Sequence, residues 1–143
     1  MGMTLQNKQR KVRFDLAWLR RAADVALGKC VAQSGDGQFG LRKLHGVEVT
    51  VVSDAMIARV HFEFMAMPDP TDVITFDHGE IVVSAETAVR CAKEHGHSVE
   101  EELVLYVIHG LLHLNGFDDR APAARRKMFR VQDRIWREVC AAM

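Results

Sequence analysis

The sequence contains few cysteines and no long hydrophobic segment. Its three cysteines, Cys30, Cys91 and Cys140, lie far apart, and none belongs to a Cys-x-x-Cys pair. This pattern indicates reduced thiols and argues against a disulfide framework or a cysteine-based zinc site. No apolar run approaches the roughly 18 residues that a membrane-spanning helix needs, and the start of the chain is polar and basic, unlike a secretory signal. We therefore expect a cytoplasmic protein without a membrane anchor.

The sequence also lacks an excess of charge of either sign. Lysine and arginine total 19, as do aspartate and glutamate, so no overall charge indicates a polyanionic partner. A hydrophobic fraction of 48% with 27% charged residues is typical of a globular protein. With 143 residues and no repeat, low-complexity tract or linker, the chain is predicted to form one domain over residues 1–143.

Hydrophobic periodicity and capping residues predict an α+β fold. Asp15 and Asp54 are each predicted to cap a helix, and Ser98 with Glu101 has the spacing of a capping box. Helices are predicted at about residues 16–32, 55–65, 85–95, 99–114 and 122–141, and strands at 46–53, 72–76 and 80–84. Residues 8–14 are interpreted as an edge strand or an ordered arm, and turns are predicted at residues 34–37 and 68–70. This order indicates a small mixed sheet of about four strands covered by about five helices.

Most of the chemistry that the sequence offers lies around His109. Residues 103–114 are almost entirely apolar, which predicts a buried helix. His109 and His113 are four residues apart, so their side chains lie on one face of that helix. Gly116 is predicted to end the helix in the left-handed conformation, and the returning chain can bring Asp119 toward the two imidazoles. Two histidines and one carboxylate, with a fourth position open, are typical of a catalytic zinc site.

Other interpretations of this motif stay open. Pairs of the form His-x-x-x-His are common by chance, and helical histidines on an apolar face are often core residues bonded to carbonyls. The full spacing, His-x-x-x-His-x-x-Gly-x-x-Asp, matches the metzincin protease frame except at the third ligand and at Gly110, where the protease has a glutamate. That glutamate is the base that deprotonates the zinc-bound water. Its replacement weakens a peptidase interpretation and favours another hydrolase with the same metal geometry.

The chain resembles the YbeY family of bacterial rRNA-maturation endoribonucleases. Residues 109–118 match the family motif His-Gly-x-Leu-His-Leu-x-Gly-Tyr-Asp-His up to its last position, with Phe117 in place of the tyrosine. Residues 70–76, Pro-Thr-Asp-Val-Ile-Thr-Phe, are similar to the family segment Pro-Thr-Asp-Val-Leu-Ser-Phe, and residues 79–84 are similar to its Gly-Asp-Ile-x-Ile-Ser strand. The order of elements agrees as well, so the resemblance covers nearly the whole chain.

The resemblance implies a zinc-dependent endoribonuclease that is specific for single strands. It implies roles in 16S rRNA 3′-end maturation and in ribosome quality control, with ribosomal RNA of the small subunit as the partner. Carried over residue by residue, the ligands of one zinc ion per chain are His109, His113 and Asp119. The alternatives are a zinc metallopeptidase of zincin-like geometry and a non-catalytic ribosome-assembly factor with a structural metal.

Two positions depart from the family pattern. The third ligand is usually histidine, whereas this chain has Asp119, which lowers the charge of the site and is expected to acidify bound water less. Two histidines and a carboxylate also suit other divalent metals, including Fe(II). Asp118 is the second candidate for this ligand. Met65 stands where many members carry an arginine proposed to act on the phosphate, and Arg59, about two turns earlier, is a candidate substitute.

The remaining candidates concern catalysis and RNA binding. Asp72 is a candidate for orienting a ligand or acting as a base, although a turn aspartate is the alternative. Basic residues in and before the last predicted helix form a candidate RNA-binding group, for which a solvated helix face is the alternative. This group contains Arg120, Arg125, Arg126 and Arg130.

Overall fold

The computed structural model describes residues 2–33, 35, 40–66 and 71–143. Over these residues it contains one four-stranded sheet and five α-helices, which confirms the α+β fold. In chain order the elements are β1 (Gly2–Asn7), α1 (Leu16–Val31), β2 (Gly46–Val52), α2 (Asp54–Met65), β3 (Val73–Phe76), β4 (Glu80–Ser84), α3 (Ala85–His95), α4 (Val99–Leu114) and α5 (Pro122–Ala142). The turns predicted at residues 34–37 and 68–70 lie outside the described residues, apart from Gly35.

The sheet has the strand order β1-β2-β4-β3. β1, β2 and β4 are parallel, with Val49 of β2 paired with Leu5 on one side and with Ile81 on the other. β3 pairs antiparallel with β4 and forms an outer edge. Because side chains alternate along a strand, Val49 and Ile81 face the larger core under α1 and α4, whereas Val52 and Val82 face a smaller cluster that α2 covers.

The first strand differs from the sequence-based assignment. β1 spans Gly2–Asn7, and residues 8–14 form no strand. Of the two interpretations of this segment, the ordered arm is correct. Its conformation is fixed by the Gln9 side chain, which accepts from the Val12 N–H at 2.9 Å and donates to the Val12 carbonyl at 3.0 Å. Leu5 is the one buried residue of β1, so the strand carries little local hydrophobic signal and is held by its pairing with β2.

The helix starts follow local capping chemistry, with one shift. Asp15 accepts from the Trp18 N–H at 3.0 Å, as predicted. The predicted cap Asp54 is instead the first residue of α2, and Ser53 is the N-cap. The Asp54 carboxylate instead binds the start of α3. It accepts from the hydroxyl groups of Ser84 and Thr87 and pairs with Arg90 at 2.9 Å.

Helix α4 is the central element of the larger core. Ten of its sixteen residues are buried, and it packs against α1, α3, α5 and the β3–β4 side of the sheet. Gly110 brings it unusually close to the sheet, since a Cβ there would lie 2.8 Å from Cδ1 of Ile81. None of the described helices is both long and apolar enough to cross a membrane. The packing leaves His109 and His113 at the outer side of the C-terminal half of α4.

Candidate metal centre

The structure brings the side chains of His109, His113 and Asp119 together. Nε2 of His109 lies 3.6 Å from Oδ2 of Asp119, and Nε2 of His113 lies 3.5 Å from the same oxygen. One ligand atom from each residue lies within 4.8 Å of the other two. All three side chains are partly accessible, at 17%, 28% and 33%. The spacing and accessibility suit a single divalent ion with one or more open positions.

The turn after α4 places Asp119. Gly116 has a φ of 93°, in the region that only glycine enters cheaply, and its N–H bonds to the His113 carbonyl. Asn115 then fixes the turn to the first half of the chain. Its side-chain oxygen accepts from the Leu41 N–H at 3.1 Å, and its amide donates to the carbonyls of Cys30, at 2.9 Å, and Gln33. The returning loop is therefore held by contacts from distant elements.

The two imidazole rings are oriented by acceptors at their other nitrogens. Nδ1 of His109 lies 2.6 Å from Oε1 of Gln132, a buried residue of α5. Nδ1 of His113 lies 3.1 Å from the Phe117 carbonyl oxygen. Because an oxygen of this kind accepts, each Nδ1 can donate to it, and each Nε2, on the side of Asp119, is then available to bind a metal. Metal-binding histidines are commonly fixed in this way.

The charge state of His109 also favours ligation. Burial lowers the pKa of His109 below its ordinary value, and the neighbouring His113 lowers it further. The contact with Gln132 and the charges of Asp119 and Asp72 act in the opposite direction without reversing the shift. A lowered pKa keeps the imidazole neutral near pH 7, which is the form that binds a metal.

An open cleft of about 920 Å³ lies beside the three side chains. One wall is the edge strand β3 and the turn before it, and the other is the loop from Gly116 to Arg120. Met65 also lines the cleft, so the methionine at the position of the family arginine faces the same space.

Asp118 and Asp119, the two candidates for the third ligand, are in different environments. Asp118 is partly exposed, and its carboxylate accepts from the Arg120 backbone N–H at 2.9 Å and from its guanidinium at 3.2 Å. The Arg120 backbone N–H and guanidinium lower the pKa of Asp118. Asp119, by contrast, turns toward both imidazoles. Of the two, Asp119 is the one that joins the histidine group.

The other candidate residues divide between the cleft and the outer surface. Asp72 lines the cleft and also accepts from the Val73 N–H at 2.8 Å, which fits both interpretations of this residue. Arg120 lines the cleft. Arg59 is exposed on α2 and is not among the described residues that line the cleft. Arg125 lies over the Phe129 ring at 5.0 Å, and that ring lies 5.9 Å from His109. Arg126 and Arg130 are exposed on α5.

Sequence reasoning missed two groups of polar residues. Gln132 orients the His109 ring, and Asn115 anchors the turn that carries Asp119. Of the two, only Gln132 left a signal in the sequence, as a polar residue among the apolar positions of α5. A second group that could hold a metal lies elsewhere in the fold and combines His95, His97 and Glu102. Its signal is a His-x-His pair followed by an acid five residues later.

The fold and this centre together define a small α+β domain whose buried helix presents two histidines and a returning carboxylate beside an open cleft. The family model described as Endoribonuclease YbeY matches residues 4–140. The chain therefore belongs to the YbeY endoribonuclease family, as its motifs indicated.

Individual relatives agree with this assignment. A protein named Endoribonuclease YbeY from Micrococcus luteus is 38% identical over 107 residues, which cover 64% of this chain and 68% of the relative. The protein of the same name from Rhodopirellula baltica is 42% identical over 96 residues, which cover 60% of this chain and 50% of the relative. The chain thus spans about half to two thirds of the length of these curated relatives. The solution structure of TM1509 from Thermotoga maritima is similar with a TM-score of 0.66 and 26% identity, covering 99% of this chain and 91% of that one.

Proposed function

We propose that the protein is a zinc-dependent endoribonuclease that cleaves single-stranded RNA. Its proposed role is 16S rRNA 3′-end maturation and ribosome quality control in the cytoplasm, as one domain acting on the small ribosomal subunit. The observation that carries the proposal is the convergence of His109, His113 and Asp119, with ligand atoms within 4.8 Å of one another, beside an open cleft. Membership of the endoribonuclease family supports RNA as the substrate class.

Zinc fits this donor set. Two neutral imidazoles and one carboxylate form one of the three-ligand sets of catalytic zinc, and both rings present Nε2 toward Asp119. When bound, such an ion supplies a Lewis acid that polarises a phosphate oxygen or acidifies a water molecule. The same donor set also accepts Fe(II), so elemental analysis should include iron.

The protein's own groups would orient the substrate. Arg120 is exposed and lines the cleft, where its guanidinium can bind a phosphate oxygen in place of the arginine that Met65 replaces. We therefore assign this role to Arg120 rather than to Arg59. Asp72 lines the same cleft and its charge acts on His109, which makes it the candidate proton acceptor.

A direct test compares RNA cleavage and bound metal in the same preparations. Wild type is expected to cut a single-stranded RNA and to spare the duplex of the same sequence. His113→Ala should lose one equivalent of metal, and cleavage should fall by roughly two orders of magnitude or more because a ligand is gone. The control is His45→Ala, since His45 is an exposed histidine outside both histidine groups.

The outcomes separate this proposal from its alternatives. Equal cleavage by wild type and His113→Ala would contradict it, as would metal-dependent hydrolysis of casein without RNA cleavage. A peptidase is disfavoured by Gly110, which lacks the carboxylate of the protease base and where an added Cβ would already meet the Ile81 side chain. Full complementation of a deletion strain by His109→Ala would instead favour an assembly factor without catalysis.

A further inference from the structure

A second group of histidines and an acid lies at the opposite end of α4 from the candidate centre. It combines His95 at the end of α3, His97 in the connection, and Glu102 near the start of α4. One ligand atom from each lies within 4.8 Å of the other two. Nδ1 of His95 is 3.7 Å from Oε1 of Glu102, and Nε2 of His97 is in closer contact with the same oxygen. Along α4, Glu102 precedes His109 by seven positions, a rise of roughly 10 Å, so the two groups share no ligand.

We propose that His95, His97 and Glu102 bind a second divalent ion of the zinc class, which ties the end of α3 to the start of α4. Two imidazoles and one carboxylate match the ligand preference of zinc, cobalt and nickel. Magnesium and calcium require oxygen ligands and are not expected here. Ligand atoms of a tetrahedral zinc site are about 3.4 Å apart, from bond lengths of about 2.0–2.1 Å. The group therefore needs only small side-chain movements to close around an ion.

The local backbone explains how the three side chains meet. Gly96 has a φ of 73° and caps α3, which reverses the chain directly after His95. The His97 N–H bonds to the Ala92 carbonyl at 3.1 Å, which fixes the connection. Ser98 is the N-cap of α4, so Glu102 lies just after the first turn of that helix. The candidate centre uses the same arrangement of a helix, a left-handed glycine and a returning ligand.

The burial of Glu102 supports a cation at this point. This residue is only 2% exposed, and a buried carboxylate is costly unless positive charge or hydrogen bonds compensate it. Among the contacts of the described residues, its ion-pair partners are the rings of His95 and His97. A divalent ion held by the two rings would place compensating positive charge beside this carboxylate.

A second observation is the hydroxyl group of Tyr106, one turn after Glu102. This oxygen is buried and makes no hydrogen bond with any of the described residues. It lies close to the Cys91 thiol and the Glu102 carboxylate. A small rotation of Glu102 onto an ion would give this hydroxyl an acceptor, as expected for groups that support metal-bound carboxylates.

The site is also ordered and accessible. The His97 ring packs against Trp136 at 5.0 Å between centroids, and the indole N–H of Trp136 donates to the Glu101 carbonyl at 2.8 Å. The His97 side chain is 14% exposed, whereas that of His95 is 59% exposed. An ion can therefore enter from the side of His95 while His97 and Glu102 hold fixed positions.

The test is equilibrium dialysis of the full chain against Zn²⁺ and, for absorption spectra, Co²⁺. We expect two equivalents in wild type, one in His113→Ala, one in His97→Ala and none in the double variant. His78→Ala is the matched control, since His78 pairs with Glu80 at 3.6 Å but has no third ligand among the described residues. Retention of no metal by a folded His113→Ala, or equal binding by wild type and His97→Ala, would overturn the proposal.

Two further measurements test the site even when the alanine variants fail to fold. In wild type, nitrogen-15 spectra of the histidine rings should show one equivalent perturbing His97 and another perturbing His113; absence of any change at His97 would count against the site. Tyr106→Phe removes only the unbonded hydroxyl, so the metal-free protein should keep its melting temperature. Its affinity for the second equivalent should fall by roughly 10- to 100-fold, and unchanged affinity would remove the proposed role of Tyr106.

Because this site shares no ligand with the candidate centre, the two proposals fail separately. Loss of RNA cleavage in His113→Ala with one equivalent of metal retained supports both. Loss of RNA cleavage with no metal retained supports the nuclease and rejects the second site.

Discussion

A Cβ atom added to Gly110 would lie 2.8 Å from Cδ1 of Ile81 and 3.0 Å from two other atoms of that side chain. Ile81 is fully buried in β4, so it has little freedom to move away. The absence of a side chain at Gly110 therefore sets how closely α4 approaches the sheet, and with it the position of the adjacent His109.

Gly110→Ala should consequently destabilise the protein. Overpacking a dense core costs about 1–3 kcal/mol, and the better helix propensity of alanine offsets up to about 1 kcal/mol of that. Urea unfolding should show the net loss, and Ile81→Val should reduce it in a double-mutant cycle because it removes the nearest atom. Gly28→Ala in α1 is the control, since its Cβ would meet nothing within 4 Å; we expect it to be neutral or stabilising. A destabilised Gly28→Ala beside an unaffected Gly110→Ala would refute this account.

The orientation of His109 by Gln132 leads to a second expectation. Gln132→Leu keeps a similar volume in the buried stripe of α5 but removes the acceptor at 2.6 Å from Nδ1. Zinc affinity at the candidate centre should fall by roughly 10- to 100-fold with little loss of folding. A competition assay with a chromophoric chelator measures this, and Asp133→Asn at the exposed neighbouring position is the control. Wild-type affinity in Gln132→Leu would show that the ring is fixed by packing alone.

Substitutions at the two adjacent aspartates distinguish the third ligand. Asp119→Ala should lose metal from the candidate centre, because its carboxylate faces both imidazoles, and Asp119→His should retain it by supplying another ligand. Asp118→Ala should keep the metal, since that carboxylate is paired with Arg120. Metal content by mass spectrometry of gently purified protein decides the matter. The reverse pattern, with loss only in Asp118→Ala, would assign the ligand to Asp118.

Asp54 provides an expectation for pH. Burial by itself raises the pKa of Asp54, but hydrogen bonds from Ser84, Thr87 and Arg90 and the charge of Arg90 lower it below the ordinary value of 3.8. A lowered folded pKa means that the stabilisation is fully present above the unfolded pKa and is lost as pH falls through the folded pKa. Asp54→Asn should thus reduce the free energy of unfolding at pH 7 by about 1.5–3 kcal/mol.

Below about pH 4 the difference between wild type and Asp54→Asn should begin to shrink, because this carboxyl is then protonated in the unfolded chain, and it should vanish at the lower pH where the folded carboxyl is neutral as well. Denaturant titrations at a series of pH values measure this difference. Asp24→Asn on the exposed face of α1 is the control and should change little at any pH. A gap for Asp54→Asn that persists at the lowest pH would mean that the network does not depend on the charge.

Local signals were sufficient for most of the fold. Asp15, Gly96 and Gly116 cap helices where the sequence indicated, because their effects act within one turn of their own position. The central strands were visible because β-branched residues line both faces. The convergence of His109 with Asp119 followed from helix spacing and one glycine turn.

The features that the sequence did not reveal depend on distant partners. β1 contains Leu5 as its one buried residue and exists because β2 pairs with it across about forty residues. Ser53 rather than Asp54 caps α2 because α3, about thirty residues later, engages the Asp54 carboxylate. Gln132 reaches His109 only through the packing of α5 on α4. Of these features, Gln132 alone left a local signal, as a polar residue among the apolar positions of α5.

Asn115 connects the end of α4 to Leu41, Cys30 and Gln33, which lie 74 to 85 residues earlier in the chain. Because these contacts hold the turn that carries Asp119, we expect Asp119 to reach its native position during folding after α1 and Leu41 have docked. Metal binding at His109 and His113 should therefore occur late in folding. The rate of metal uptake during refolding would then report how fast the N-terminal half docks on α4.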